Sequence, residues 1–388
     1  MDFLWRSLLW VSAAGGLFVA GQFVHMGLVL AWVDRRTKHG AHLRDSDDQN
    51  KAYRSRLAQH RKLLSPLLWL LGKLTPIAFQ LVSVQMRKPQ LTTPNGVCTK
   101  RSIQKAIEHQ AAAGDLFVAT YMKNGTTWMQ NLAYQVLNRG GGALPAESGT
   151  STKLGLVSTW LESTKTIPLD QLPTFGQPAY RIIKTHLPSQ HCPFNDAAKY
   201  LMVYRHPCST FASVIDFVSQ NIDCFQPTTQ QFEQWFQSPK WMWYGQWPRH
   251  VCQWLDLADQ HSNILTVRFE DLKTDFEQRM ESIVTFLEQE PLDHSERQKV
   301  IHNCSFQVMR RHQSLFEINP PHLFNCRSQF FVSGKTERHQ DTDMQVNQRI
   351  WQWCEQEFAR YGRQLSDYFQ APQASGKEKP SAIGTPSS

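Results

Sequence analysis

From Leu8 to Val33 the chain reads LLWVSAAGGLFVAGQFVHMGLVLAWV, with no Asp, Glu, Lys or Arg to give it a polar face. The run exceeds the ~20 residues needed to cross a bilayer and has no small-residue cleavage site, so it predicts a retained transmembrane helix and not a signal peptide. It ends at Asp34-Arg35-Arg36-Thr37-Lys38, whose basic residues outnumber the lone Arg6 on the other flank. The positive-inside rule then puts the rest of the chain on the cytoplasmic side of a single-pass anchor, residues 1–34. A linker over 35–95 is polar and charged at first. It then carries a second apolar stretch at 63–86, broken by Pro66, Lys73 and Pro76. Those interruptions suit an interfacial or domain-covering helix pair better than a second crossing, which would reverse the topology.

Beyond the linker the periodicity alternates. TKRSIQKAIEHQAAAG predicts a helix from Thr99 to a stop at Gly114. Short apolar runs predict strands at 116–121, 180–185, 200–204 and 264–269, and helical patterns open at Thr126, at about 208 and at about 274. A last helix, QVNQRIWQWCEQEFARYG, groups Ile350, Trp353, Cys354 and Phe358 and stops at Gly362. Strand and helix in turn imply an α/β, P-loop-like three-layer fold: a central parallel sheet flanked by helices, over residues 96–370. The segment 371–388 has the composition of a disordered tail. We find no internal repeat.

Composition narrows the chemistry. The net charge of +8 favours anionic partners, but the basic residues are scattered, which suits a phosphate-bearing ligand or anionic membrane and not nucleic acid. Eight cysteines lie far apart with no metal-ligand spacing, so the reading is free thiols and no metal. Asn124 and Asn303 both head glycosylation sequons, and the first lies in the loop that carries the chemistry, which opposes a lumenal catalytic domain.

That loop is ATYMKNGTTW, where an apolar strand breaks into Lys123-Asn124-Gly125-Thr126-Thr127 before Trp128 opens a helix. A strand-turn-helix of this kind offers backbone amides and a helix dipole to an anion, Gly125 permits close approach, Thr126 and Thr127 add hydroxyls, and Lys123 adds charge. It is not a Walker A loop, because the lysine precedes the glycine. Taken alone it would be an ordinary polar turn.

It does not stand alone. YMKNGTTW resembles the Y-P-K-S-G-T-T-W loop of sulfotransferases that use 3′-phosphoadenosine 5′-phosphosulfate (PAPS). RIIKTHLP, YRHPCSTFAS and VRFEDLKTDF resemble later segments of that family in the same order. The likeness covers roughly residues 96 to 370 and is nearest to the cytosolic-type and bacterial branch. It implies His186 as general base and Lys123 and Lys184 as catalytic cations. It further implies Lys123, Asn124, Gly125, Thr126 and Thr127 on the 5′-phosphosulfate, Arg205 and Ser213 on the 3′-phosphate, and Trp128 and Phe306 about the adenine. Phe269 and Cys304 replace the family's usual tyrosine and threonine. In FFVSGKTERHQD only Gly334 and Lys335 keep the register of the usual R-K-G loop, with Lys335 and Arg338 as substitute cations.

The acceptor is written less plainly. The tryptophan-rich WFQSPKWMWYGQWPRHVCQW over 235–254 is core or pocket wall; joined to a membrane anchor it suggests a hydrophobic small-molecule or lipid hydroxyl. Two rival readings are a membrane-bound interaction protein that kept the fold and lost catalysis, and an ATP-using kinase. Intact Lys123, Lys184 and His186 oppose the first, and the absent Walker lysine opposes the second. The oligomeric state is not legible.

Overall fold

A computed structural model describes residues 2–74, 80, 83–86, 91–146, 150–221, 227–317, 322–324, 330–331 and 334–372, with side chains from residue 15 onward and except at 220–221. Its centre is a parallel sheet of five strands: β3 (Asp115–Thr120), β4 (Ser158–Trp160), β5 (Arg181–Thr185), β6 (Lys199–Tyr204) and β7 (Ile264–Arg268), in the order β4-β5-β3-β6-β7. Every residue of β3 is buried, as expected for a central strand covered on both faces. Period-two alternation sorts its side chains. Phe117 and Ala119 join Ile183, Tyr200 and Met202 in one core. Leu116 and Val118 join Ile182, Leu201 and Val203 in the other. The second core is closed by Met129, Leu132 and Val136 of the helix Thr126–Leu137 and by Met280 and Ile283 of Phe276–Phe286. The first is closed by Trp247, Val251 and Trp254 of Trp247–Ala258 and by Ile350, Cys354 and Phe358 of Met344–Ala359. These are the three layers that the sequence pattern predicts.

Three elements differ from expectation. The helix that Thr99 caps, with its reciprocal Ser102 bonds, ends at Ile107 and not at Gly114. Asp115 pulls the following segment back by accepting from the Ala112 amide at 2.9 Å, and Ala111 turns into the core. An antiparallel hairpin, β1 (Ser83–Met86) and β2 (Leu91–Pro94), and the edge strand β4 carry no readable period because each has only three or four residues. The tryptophan-rich segment is largely core: Trp247 and Trp254 are fully buried and Trp235 and Trp243 nearly so. The tail from residue 373 lies outside the described residues.

Helix α1 (Asp2–Thr37) is the one helix among the described residues long and apolar enough to cross a membrane. Along it Leu17, Phe18, Val24 and Leu28 stand exposed, whereas Val29 and Val33 are buried against α2 (Asp47–Leu63) and α3 (Ser65–Lys73). The chain leaving α1 is held to the sheet domain. Asp34 pairs with the buried Lys165 ammonium at 2.5 Å, and the His39 amide donates to the Thr164 carbonyl at 3.0 Å. The segment so gripped follows directly on β4, which reaches the site described next.

Candidate active site

The site forms at the C-terminal ends of β3, β5 and β6, where a parallel α/β sheet collects its ligands. After β3 the loop turns at Lys123 (φ 67°) and Gly125 (φ 94°) into the helix Thr126–Leu137, which no side chain caps. Its first amides therefore remain available to an anion. Gly125 is required twice over: its φ is left-handed, and a Cβ there would come within 2.6 Å of the Phe269 ring. Asn124 is fully buried and its Oδ1 accepts from the Thr210 hydroxyl at 2.8 Å, tying the loop to the helix Pro207–Asn221, while its Nδ2 has no hydrogen-bond partner. Asn303 is buried too, so the folded protein leaves no room for a glycan at either sequon. Thr126 is turned inward, its hydroxyl 2.5 Å from that of Thr120.

His186, at the end of β5, is buried beside this loop. Its Nδ1 lies 2.9 Å from the Thr120 carbonyl oxygen, which can only accept, so Nδ1 carries the proton and Nε2 presents a lone pair. Burial first, then the neighbouring Lys184, hold the imidazole well below its ordinary pKa, so it is neutral at pH 7. Glu162 fixes the segment from beneath: one carboxylate oxygen accepts from the His186 amide at 2.7 Å and the other from the Thr185 hydroxyl at 3.1 Å. The His186 carbonyl in turn meets His250 Nε2 at 3.1 Å. Trp160 and Tyr244 flank the imidazole with ring centroids 5.3 Å away.

Two lysines converge on the same place. Lys184 sits 3.8 Å above the Trp160 ring, and Lys123 4.7 Å from the Phe217 ring. Burial pulls each ammonium down to about 8; Glu162 opposes the fall at Lys184, while Arg205 and Arg338 reinforce it at Lys123. The Lys123 charge also lowers Lys184, and both lysines act on His186 through their charge. Such a cluster of desolvated cations is costly unless an anion joins it.

Arg205 follows β6, buried, and donates to the Lys335 and Thr336 carbonyls at 3.0 and 2.9 Å; its Nε is buried without a hydrogen-bond partner. Ser213 is half-buried on the helix after it. Lys335 contributes its carbonyl here, but its ammonium turns to Asp341 at 3.0 Å, in the open. Arg338, largely buried, pairs with Asp216 one turn beyond Ser213. Gly334 lies against the Phe306 ring, where a Cβ would come within 2.8 Å. Residues 332–333 of this loop lie outside the described residues. Trp128 is braced by a 2.9 Å bond from its indole N–H to the Cys304 carbonyl and by stacking on Phe276. Lys273, which nothing in the sequence singled out, lies 5.2 Å from the Trp128 ring and 5.8 Å from Phe306, bridging the two. Glu162 and Trp160 were also missed; Tyr244 and His250 lie in the 235–254 segment read as core or pocket wall, without a role of their own.

An uncapped helix start, orphaned donors on Asn124 and Arg205, and a surplus of buried cations fit a doubly phosphorylated nucleotide. Among the described residues no cluster could hold a metal. The sequence of residues 113–362 matches the profile described as "Sulfotransferase domain". Sulfotransferase 1B1 of Canis lupus familiaris is 27% identical over 200 residues, which span 50% of this chain and 66% of that protein. Sulfotransferase 1E1 of Homo sapiens is 28% identical over 237 residues, 58% of this chain and 77% of that protein. A crystal structure of mouse sulfotransferase SULT7A1 complexed with PAP superposes with a TM-score of 0.53 at 19% identity, covering 74% of this chain and 96% of that one. Retinol dehydratase in complex with androsterone and inactive cofactor PAP gives 0.52 at 17% identity, covering 71% and 89%. The profile spans well over half of the sequence, and the chain belongs to the PAPS-dependent sulfotransferase family.

Proposed function

We propose that this protein transfers a sulfuryl group from PAPS to the hydroxyl of a hydrophobic small molecule or lipid. The observation that carries the reading is the convergence of Lys123, Lys184 and a neutral His186, whose Nε2 is free to take a proton, beside an uncapped helix start. PAPS supplies the sulfuryl group and departs as PAP. The loop amides from Gly125 to Thr127 and Lys123 hold the 5′ end, Arg205 and Ser213 hold the 3′-phosphate with the buried Arg338 beside them, and Trp128 and Phe306 receive the adenine. His186 Nε2 accepts the acceptor's hydroxyl proton while Lys123 and Lys184 meet the charge that gathers on the oxygens of the transferring and leaving groups. Lys184, His186 and Arg205 are themselves nearly withdrawn from water, which strengthens the interactions they make.

An apolar acceptor is supported by the aromatic wall of Trp160 and Tyr244 around His186. Retinol dehydratase, whose structures hold androsterone or retinol beside PAP, points the same way. Helix α1 holds the enzyme to the membrane as a single span, with the catalytic domain on the cytoplasmic side. Calorimetry on the full chain in nanodiscs tests the nucleotide: PAP should bind tightly, ATP weakly, and Arg205→Ala should lose most PAP affinity. A preference for ATP, or equal binding by Arg205→Ala, would overturn the reading. Labelled transfer from PAPS to a panel of sterols, phenols, retinoids and soluble sugars tests the acceptor, and turnover confined to the sugars would refute the apolar class.

A further inference from the structure

Helix α3 is apolar on every side. Its sequence SPLLWLLGK buries Leu67, Leu68 and Leu71 against the protein, yet Trp69 is 66% exposed, and Leu70 and the adjoining Leu63 and Leu74 also face outward. A short helix with apolar residues all round requires a second apolar medium. Its position suggests which one. Helix α2 runs back along α1: Trp32 meets Tyr53 at 5.2 Å, and His25 meets His60 at 3.0 Å, so the α2–α3 corner returns to the level of His25. There α1 changes character, exposed at Val24 and Leu28 and buried at Val29. The stretch of α1 from residue 8 to 28 would rise about 31 Å, close to the ~30 Å of a bilayer core, so its inner boundary falls beside α3. The charge agrees. From residue 50 to 74 the chain holds six basic residues, Lys51, Arg54, Arg56, Arg61, Lys62 and Lys73, and no acid. Lys73 reaches over Trp69 at 5.5 Å, the arrangement of an indole at a headgroup boundary.

We propose that α3 is a second membrane contact, seated in the interface of an anionic bilayer with Trp69, Leu70 and Leu74 in the acyl region and the nearby Lys62 and Lys73 among the headgroups. The inference rests on the reading of α1 as a membrane anchor, which is tested alongside it. Its buried side gives it a bearing on catalysis. Leu67 and Leu71 share a core with Met86, Leu91 and Trp243. The Trp243 indole donates to Ser83 at 2.9 Å, and the next residue, Tyr244, flanks His186. The α3 contact would thus fix the acceptor side of the site relative to the lipid surface.

The test places spin labels on the full chain, with Cys224 and Cys326 replaced by Ser, in vesicles of phosphatidylcholine and phosphatidylglycerol. Labels at Val24→Cys, Trp69→Cys and Ala52→Cys are compared for collision with oxygen, which concentrates in lipid, and with a water-soluble nickel complex. Positions 24 and 69 should both favour oxygen, with the exposed position 52 favouring nickel. Position 69 behaving like 52 while 24 favours oxygen would overturn the α3 contact and leave the anchor standing. Both in water would overturn both readings; 69 in lipid with 24 in water would keep α3 and refute the anchor. Leu70→Cys serves as a second probe if Trp69→Cys fails to fold.

Discussion

The 121–127 loop and the wall of Trp160, Glu162, Tyr244 and His250 both border His186, and they are built by opposite means. The loop is contiguous: its strained Lys123, its left-handed Gly125 and its uncapped helix start lie within four residues of one another. The wall is assembled from residues some ninety positions apart, brought together only when β4 joins the sheet edge and Tyr244 and His250 pack against His186. Phosphate recognition uses backbone amides, which a short motif can specify. An apolar acceptor wall uses packing, which any side chain of suitable shape can provide. The donor half should accordingly respond to single changes in the loop, and the acceptor half more gradually.

His186 belongs to both halves, and its loss should have the largest effect. His186→Ala is expected to lower kcat on the order of 10²- to 10⁴-fold with PAP affinity retained, read by single-turnover transfer and calorimetry. A fall of less than tenfold would remove the imidazole from the proton transfer. Next comes Lys123→Ala, expected to cost on the order of 10²- to 10³-fold in kcat because the lost charge matters most when the leaving group departs. A change carried wholly by KM would make Lys123 a binding residue only.

Gly125→Ala separates the geometry of the cradle from its charge. The new Cβ combines a left-handed φ with overlap on the Phe269 ring, so PAP affinity should fall roughly tenfold, about 1.4 kcal/mol. Adding Phe269→Leu should recover part of that loss, since the overlap is relieved and the backbone strain remains. Unchanged affinity in Gly125→Ala would mean that the loop amides do not hold the phosphate.

What the sequence disclosed follows the same division. The four strands long enough to show period-two or continuous apolar patterns were legible, and so was the loop, because its residues are neighbours in the chain. Lys184 and His186 were legible as a pair because alternate residues of an extended segment share a side, and the Lys184 charge does act on His186. Strand β4 was not: three residues, Ser158, Thr159 and Trp160, carry no period, and with the strand went Glu162 just after it. Lys273 was hidden for another reason. It follows a helical turn like any surface lysine, and only the approach of Trp128 and Phe306 gives it meaning. Lys335 was singled out by its expected register with the family's loop, yet its ammonium pairs outward with Asp341, because register speaks for the backbone and not the side chain.

Glu162→Gln should give the smallest effect and the most specific one. The amide oxygen can still accept from the His186 backbone, so placement of the imidazole should survive and kcat at pH 7 should fall only a few-fold, roughly what one weakened charge-assisted bond contributes. The pH profile should move more. In the parent enzyme kcat/KM should hold level as pH falls through 6.5, since His186 stays neutral there. It should decline as pH rises through about 8, where Lys184 and Lys123 lose the protons that burial has already loosened. Glu162 opposes that loosening at Lys184 but is not among the influences on Lys123. Removing its charge should therefore shift the alkaline limb toward lower pH through Lys184 alone, and the additional variant Lys184→Met should abolish the shift. An alkaline limb that stays in place in Glu162→Gln would show that Glu162 bears no charge on Lys184 at working pH and serves the site only as a hydrogen-bond acceptor beneath His186.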